Sequence, residues 1–142
     1  GSHAWHVQAH NGCGAGPWSP AWQLTLLSLP AAPLPYAPEH GSTLSDTLPA
    51  FAWSAVAGAR VYDLHVDTSA AFTAPVLSVT MLGTEYLTTM PLLQGTTYHW
   101  RARAANDCGS GPWSAAWVFT TAPEAPPVTR HMLYLPVVMK TE

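Results

Sequence analysis

Apolar and polar side chains alternate with a period of two along two stretches of this sequence. Across 60–67, Tyr62, Leu64 and Val66 alternate with Asp63, His65 and Asp67; across 97–105, Tyr98, Trp100, Ala102 and Ala104 alternate with His99, Arg101 and Arg103. That period is the mark of strands with one face in a core and the other in water. Shorter strand-like runs at 50–54, 76–81, 85–88 and 116–121, with a first strand near 36–45, follow at spacings of roughly 8 to 12 residues, each bounded by turn-forming residues. The pattern predicts an all-β antiparallel sandwich.

Composition narrows the picture. A chain of 142 residues is sized for one core with appendages. Its 14 Pro and 10 Gly interrupt it too often for long helices, and charged residues are only 9% of it. A net charge of -3 with five Lys plus Arg leaves no basic patch for phosphates, so nucleic acid is not expected as a partner. No apolar run approaches the ~18 residues of a membrane span.

Candidate chemistry is sparse. His3, His6, His10, His40, His65, His99 and His131 show neither metal-ligand spacing nor clustering with cysteine, so no metal is expected. No Gly-x-Ser-x-Gly turn, phosphate-cradling Gly-rich loop or acid/base carboxylate pair is present, so neither catalysis nor a cofactor is expected.

An internal repeat organises the chain. WHVQAHNGCGAGPWSPAW from Trp5 and WRARAANDCGSGPWSAAW from Trp100 share 11 of 18 positions at a constant offset of 95 residues. A period this long belongs to a free-standing sandwich rather than a solenoid unit. Residues 1–28 therefore read as the last hairpin of a preceding repeat, 29–35 as a Pro-rich linker, 36–121 as one complete repeat, and 122–142 as a linker with an apolar tail strand. Gly1, Ser2 and His3 match an expression scar as readily as native sequence. Cys13 and Cys108 fall at equivalent positions, a domain length apart in a linear array and beyond the ~7 Å Cα separation a disulfide spans. Free thiols or small buried fillers are expected, the alternative being a bond between chains or a rearranged hairpin.

Several landmarks follow one another in the complete repeat: Phe51-Ala-Trp53, a short Val56-Ala-Gly58-Ala turn, the Tyr62-x-Leu-x-Val66 strand, Leu93-x-Gly-Thr-Thr-Tyr98 and the Trp100-x-Ala-x-Ala104 strand. From about 35 to 121 this succession resembles bacterial fibronectin type III domains and implies an immunoglobulin-like β-sandwich. Independently of the resemblance, Trp53 suits the space between two sheets, and Tyr98 suits a strand corner where a phenol packs its ring and bonds its hydroxyl to backbone.

Gly111-Pro-Trp-Ser-Ala-Ala-Trp117 is similar to the Trp-Ser-x-Trp-Ser signature of cytokine-receptor domains, in which guanidinium planes stack on indoles. Here the two Trp are four apart, and the first copy carries His6 and Gln8 where the second has Arg101 and Arg103. A full ladder is thus expected only in the complete repeat. Trp113 and Trp117 are its candidate indoles, although Trp117 shares strand parity with Phe119 and points into the core on the other reading. If 60–67 pairs with 97–105, Arg101 and Arg103 face Asp63, His65 and Asp67. This surface (Arg101, Arg103, Trp113, Trp117, Asp63, His65) is either a solvated stacking ladder or a recognition face.

Trp5, Val7, Trp18 and Trp22 lie on the N-terminal hairpin without the strands that should cover them, and 131–140 (HMLYLPVVMK) is apolar and strand-like. The tail resembles short Tyr-Leu-Pro-Val endings of secreted bacterial multidomain proteins. Hairpin and tail are expected to be covered by one another, by the complete repeat or by a second molecule, the last being self-association. The favoured role is a non-catalytic extracellular or cell-surface spacer, adhesion or protein-interaction module, with other domains of a parent protein, proteins or glycans as partners. The alternatives are a carbohydrate-binding accessory domain of an extracellular hydrolase, which needs Trp18, Trp113 or Trp117 exposed and coplanar, and a cytokine-receptor-like recognition domain.

Overall fold

The computed structural model describes residues 1–26 and 28–125. Thirteen strands occur among them: β1 Ser2–Trp5, β2 Gln8–Asn11, β3 Gly14–Trp18, β4 Trp22–Thr25, β5 Pro35–Ala37, β6 Ser42–Leu44, β7 Ala50–Trp53, β8 Val61–Asp67, β9 Leu77–Met81, β10 Glu85–Leu87, β11 Thr97–Asn106, β12 Gly109–Trp113 and β13 Trp117–Thr121. The last nine form two sheets. One has the order β10-β7-β5; the other runs β6-β13-β11-β8-β9, with β12 also paired to β11.

The period-two alternation sets which side chains meet. Tyr62, Leu64 and Val66 of β8 and Tyr98, Trp100, Ala102 and Ala104 of β11 are buried on the inner face, against Phe51 and Trp53 of β7. Phe51 is the hub, edge-on to Trp100 at 5.3 Å and to Phe119 at 5.8 Å between ring centroids. Two phenols tie loops to this core. The hydroxyl of Tyr98 accepts the Leu93 N–H at 3.0 Å, and that of Tyr62 accepts the Val56 N–H at 2.8 Å. Each makes a buried aromatic also a backbone anchor.

Three local expectations need revision. The single first strand near 36–45 is two: β5 pairs antiparallel with β7, and β6 pairs parallel with β13 in the other sheet. Pro38, which has no N–H to donate to a ladder, lies in the crossing between them. The last strand is longer than 116–121 and broken into β12 and β13, with a register shift opposite Ala104. At the break the buried Ser114 replaces the ladder: its N–H donates to Ala102 O at 2.7 Å, and its Oγ accepts the Ala102 N–H at 3.1 Å. Finally, Asp67 does not face an arginine. Its carboxylate accepts the N–H groups of Ser69 at 3.1 Å and Ala74 at 3.3 Å, organising the loop after β8.

Strands β1–β4 form two ladders that copy those of β11–β13. Gln8↔Trp18, His10↔Ala15 and Asn11↔Gly14 in the first become Arg103↔Trp113, Ala105↔Ser110 and Asn106↔Gly109 in the second, with the same register shift. Trp5↔Trp22 becomes Trp100↔Trp117. The Ser19 bonds to Val7 (2.8 and 3.0 Å) match those of Ser114 to Ala102. What differs is cover. Trp5, Trp22 and Leu24 are 52%, 62% and 53% exposed, whereas Trp100 and Phe119, the counterparts of Trp5 and Leu24, are fully buried.

Candidate functional site

The outward face of β8, β11 and β12 gathers most of the polar residues singled out from the sequence. Registers Arg101↔His65 and Arg103↔Asp63 set the arginines directly across from their expected partners. The Arg103↔Trp113 pairing brings the indole over the same rows. The Cζ atoms of Arg101 and Arg103 lie 4.3 Å and 4.5 Å from the Trp113 ring centroid. The His65 ring is 4.4 Å from the same indole. Trp113 therefore spreads one π-surface across three cationic or ionisable groups that would otherwise repel; each guanidinium contact is worth about 0.5–2 kcal/mol.

The ladder ends in two different ways. Arg103 Nε pairs with Asp63 Oδ2 at 2.8 Å, and Asp63 Oδ1 accepts the Thr80 hydroxyl at 2.5 Å, so this end is charge-compensated across three strands. Arg101 instead lies 4.0 Å from the centroid of Phe72. Phe72 is a buried loop residue with φ 52°, a left-handed conformation that costs a non-glycine residue energy. The loop that presents it is the one Asp67 organises. No periodicity runs through 68–76, so Phe72 carried no sequence signal.

Electrostatics follow from this crowding. Burial and the positive charges of Arg101 and Arg103 push the His65 pKa below its usual value, against the opposing pull of Asp63 and Asp67. Arg101 is also shifted down, by burial and then by Arg103. Among the described residues, the buried His65 Nδ1 and Arg101 Nε have no hydrogen-bond partner. These groups rest on aromatic faces instead.

Trp117 is not part of this surface. Its register opposite Trp100 turns it inward, 6.0 Å and nearly perpendicular to Trp100, with His40 at 6.0 Å. In the first copy, Trp18 is exposed and meets the His6 ring at 4.2 Å with a 44° tilt, while Gln8 donates from Nε2 to Gly16 O at 2.8 Å. The arginine ladder forms at the second copy of the motif, where Arg101 and Arg103 stand in place of His6 and Gln8. Cys13 and Cys108 are exposed and free rather than buried fillers. Among the described residues no group of His, Cys, Asp and Glu could hold a metal ion, and no helix is long and apolar enough to cross a membrane. The expected tail strand at 131–140 lies outside the described residues.

No family model and no curated protein matches the chain. Solved structures do. The FN1–FN3 domains of chicken CNTN1 superpose over 88% of this chain at 20% identity with a TM-score of 0.52, the chain spanning 44% of that structure. An Fn3-like protein from Clostridium thermocellum is 23% identical over 70% of this chain and 99% of its own, with a TM-score of 0.51. The 6th fibronectin type III domain of human fibronectin type III domain containing protein 3 is 19% identical over 73% of this chain and 93% of its own, at 0.53. With two sheets ordered β10-β7-β5 and β6-β13-β11-β8-β9 around one aromatic core, the chain folds as an immunoglobulin-like β-sandwich of the fibronectin type III kind.

Proposed function

We propose that the chain is a non-catalytic unit of a tandem array, spacing domains and offering interaction surfaces within a larger secreted or cell-surface protein. The observation that carries the reading is the recurrence of one hairpin, in the same strand register, at an offset of 95 residues, once inside a sandwich and once with its inner face open. On this reading 1–28 belongs to a preceding repeat, and the open face of Trp5, Trp22 and Leu24 is the half of a core that the preceding repeat completes. The outward ladder around Trp113 stiffens the surface of each complete unit, as the contacts of Arg101 with Phe72 and Trp113 and of Arg103 with Trp113 and Asp63 support.

Small-angle scattering on chains carrying one, two and three copies of residues 29–121 tests this. An array of spacers lengthens with each copy by roughly 35 Å, the length of a ten-residue strand. A maximum dimension that stays nearly constant as copies are added sinks the spacer reading. Carbohydrate binding needed exposed, coplanar indoles at Trp18, Trp113 or Trp117. Trp113 is sandwiched and Trp117 is turned inward, which leaves Trp18 alone. Titration of the chain's tryptophan fluorescence with soluble polysaccharides is expected to give no saturable change; a saturable one would favour the alternative.

A further inference from the structure

The turn of each hairpin is the same cradle, filled in one copy and open in the other. In the complete repeat, Asn106 Nδ2 donates to Ser28 O at 2.8 Å. Leu29 lies over Gly109, where an added Cβ would stand 3.3 Å from its Cδ2, and Pro30 lies over Gly111, where a Cβ would stand 2.1 Å from its carbonyl oxygen. Gly111 is thus required by close approach of another backbone. Asn106 meanwhile receives the Cys108 N–H on Oδ1 at 2.9 Å, which fixes the amide so that Nδ2 faces the incoming segment. An extended Ser-Leu-Pro segment is held by one carbonyl bond, one leucine contact and one backbone-on-glycine contact.

Each cradle part recurs 95 residues earlier. Asn11 Oδ1 receives the Cys13 N–H at 2.9 Å. Gly14 has φ +131° where Gly109 has +128°, and a Cβ added at Gly16 would stand 3.4 Å from Ala9 O where one added at Gly111 would stand 3.3 Å from Ala104 O. Among the described residues, however, Asn11 Nδ2 has no partner and nothing lies over Gly14. An open groove of about 330 Å³ lined by Ala9, Asn11, Gly14 and Gly16 lies at this turn.

We propose that the Asn11–Gly14–Gly16 cradle is a binding site for an extended Ser-Leu-Pro segment, the occupant its counterpart already holds. The inference deepens the array reading, since the natural occupant is then the lead-in segment of the preceding repeat. Each repeat clasps its own linker on its terminal hairpin, so the 11 positions shared between the two copies include the clasp residues Asn11/Asn106, Gly14/Gly109 and Gly16/Gly111.

The test is a titration of the isotope-labelled full chain with a peptide of residues 28–33, Ser-Leu-Pro-Ala-Ala-Pro, followed by amide correlation spectra. Saturable shifts are expected at the Asn11 side-chain amide, Gly14 and Gly16, with none at Asn106 or Gly111, whose cradle is filled. Gly16→Val should abolish them. Valine suits a strand, and Gly16 has no positive φ, so the same spectra report whether the hairpin persists; Asn11→Ala is the second variant, expected to weaken binding several-fold. No shifts at millimolar peptide, or shifts unchanged in Gly16→Val, would overturn the proposal. Neither result touches the lengthening of repeat chains, so failure of the cradle and failure of the spacer reading remain distinguishable.

Discussion

Arg103 and Trp113 face each other across β11 and β12, and the guanidinium carbon lies 4.5 Å from the indole centroid while Nε holds Asp63 at 2.8 Å. This pairing joins the charge-compensated end of the ladder to its aromatic centre. Trp113→Ala removes the surface on which Arg101 and Arg103 both rest and leaves two like charges on neighbouring positions of one strand face. A loss of about 2–3 kcal/mol is expected in denaturant unfolding followed by circular dichroism. Trp18→Ala, on the open hairpin with no arginine to support, should change stability by less than about 0.5 kcal/mol.

The phenol anchors give a second prediction. Tyr98→Phe deletes the hydroxyl that accepts the Leu93 N–H and keeps the buried ring. It should cost about 1–2 kcal/mol in the same unfolding experiment, since a part-buried amide is left without its partner. Tyr62→Phe, which frees the Val56 N–H, should behave alike.

Much of this was legible in the sequence, and the exceptions have physical causes. Alternation in β8 and β11 placed every inner residue correctly, because a strand against a core offers a side chain only two faces. It also put Arg101 and Arg103 on one face with Asp63 and His65, while the pairing of Arg101 with His65 and of Arg103 with Asp63 comes from the register. Alternation fails where the backbone leaves the ladder. Ser114 breaks the last strand by supplying its own bonds to Ala102, and Phe72 reaches Arg101 from a loop with positive φ. Asp67 keeps strand parity with Asp63, yet nearby backbone N–H groups claim its carboxylate. The parity of Trp117 was readable, but only the register opposite Trp100 turns it inward.

His65 makes stability depend on pH. Its folded pKa is depressed below 6.5 by burial and by Arg101 and Arg103. The unfolded chain therefore binds the proton more tightly, and stability is full above the ordinary histidine pKa and falls as pH drops through it. Unfolding midpoints measured between pH 7.5 and 5 should decline for the native chain. They should decline less steeply for His65→Gln, whatever that change does to the midpoint at pH 7.5.

Gly111→Val drives a side chain into the space of the Pro30 carbonyl, 2.1 Å from the added Cβ. Residues 28–30 should leave the hairpin, with a loss of about 1–3 kcal/mol and faster hydrogen exchange at Ser28 and Leu29. Asn106→Ala should cost about 1 kcal/mol through the lost bond to Ser28.

The central claim, that residues 1–28 hold the closing hairpin of a repeat like the one at 36–121, is tested by placing a copy of residues 29–95, linker included, directly before Gly1. That segment supplies the strands equivalent to β5–β10 and restores the offset at which the two hairpins correspond. The expected result is a second sandwich: Trp5 and Trp22 become protected from acrylamide quenching, and the calorimetric unfolding enthalpy approximately doubles. If both indoles stay as accessible as in the present chain and the added segment gives no dispersed amide spectrum, the hairpin is not a repeat fragment and the array account fails.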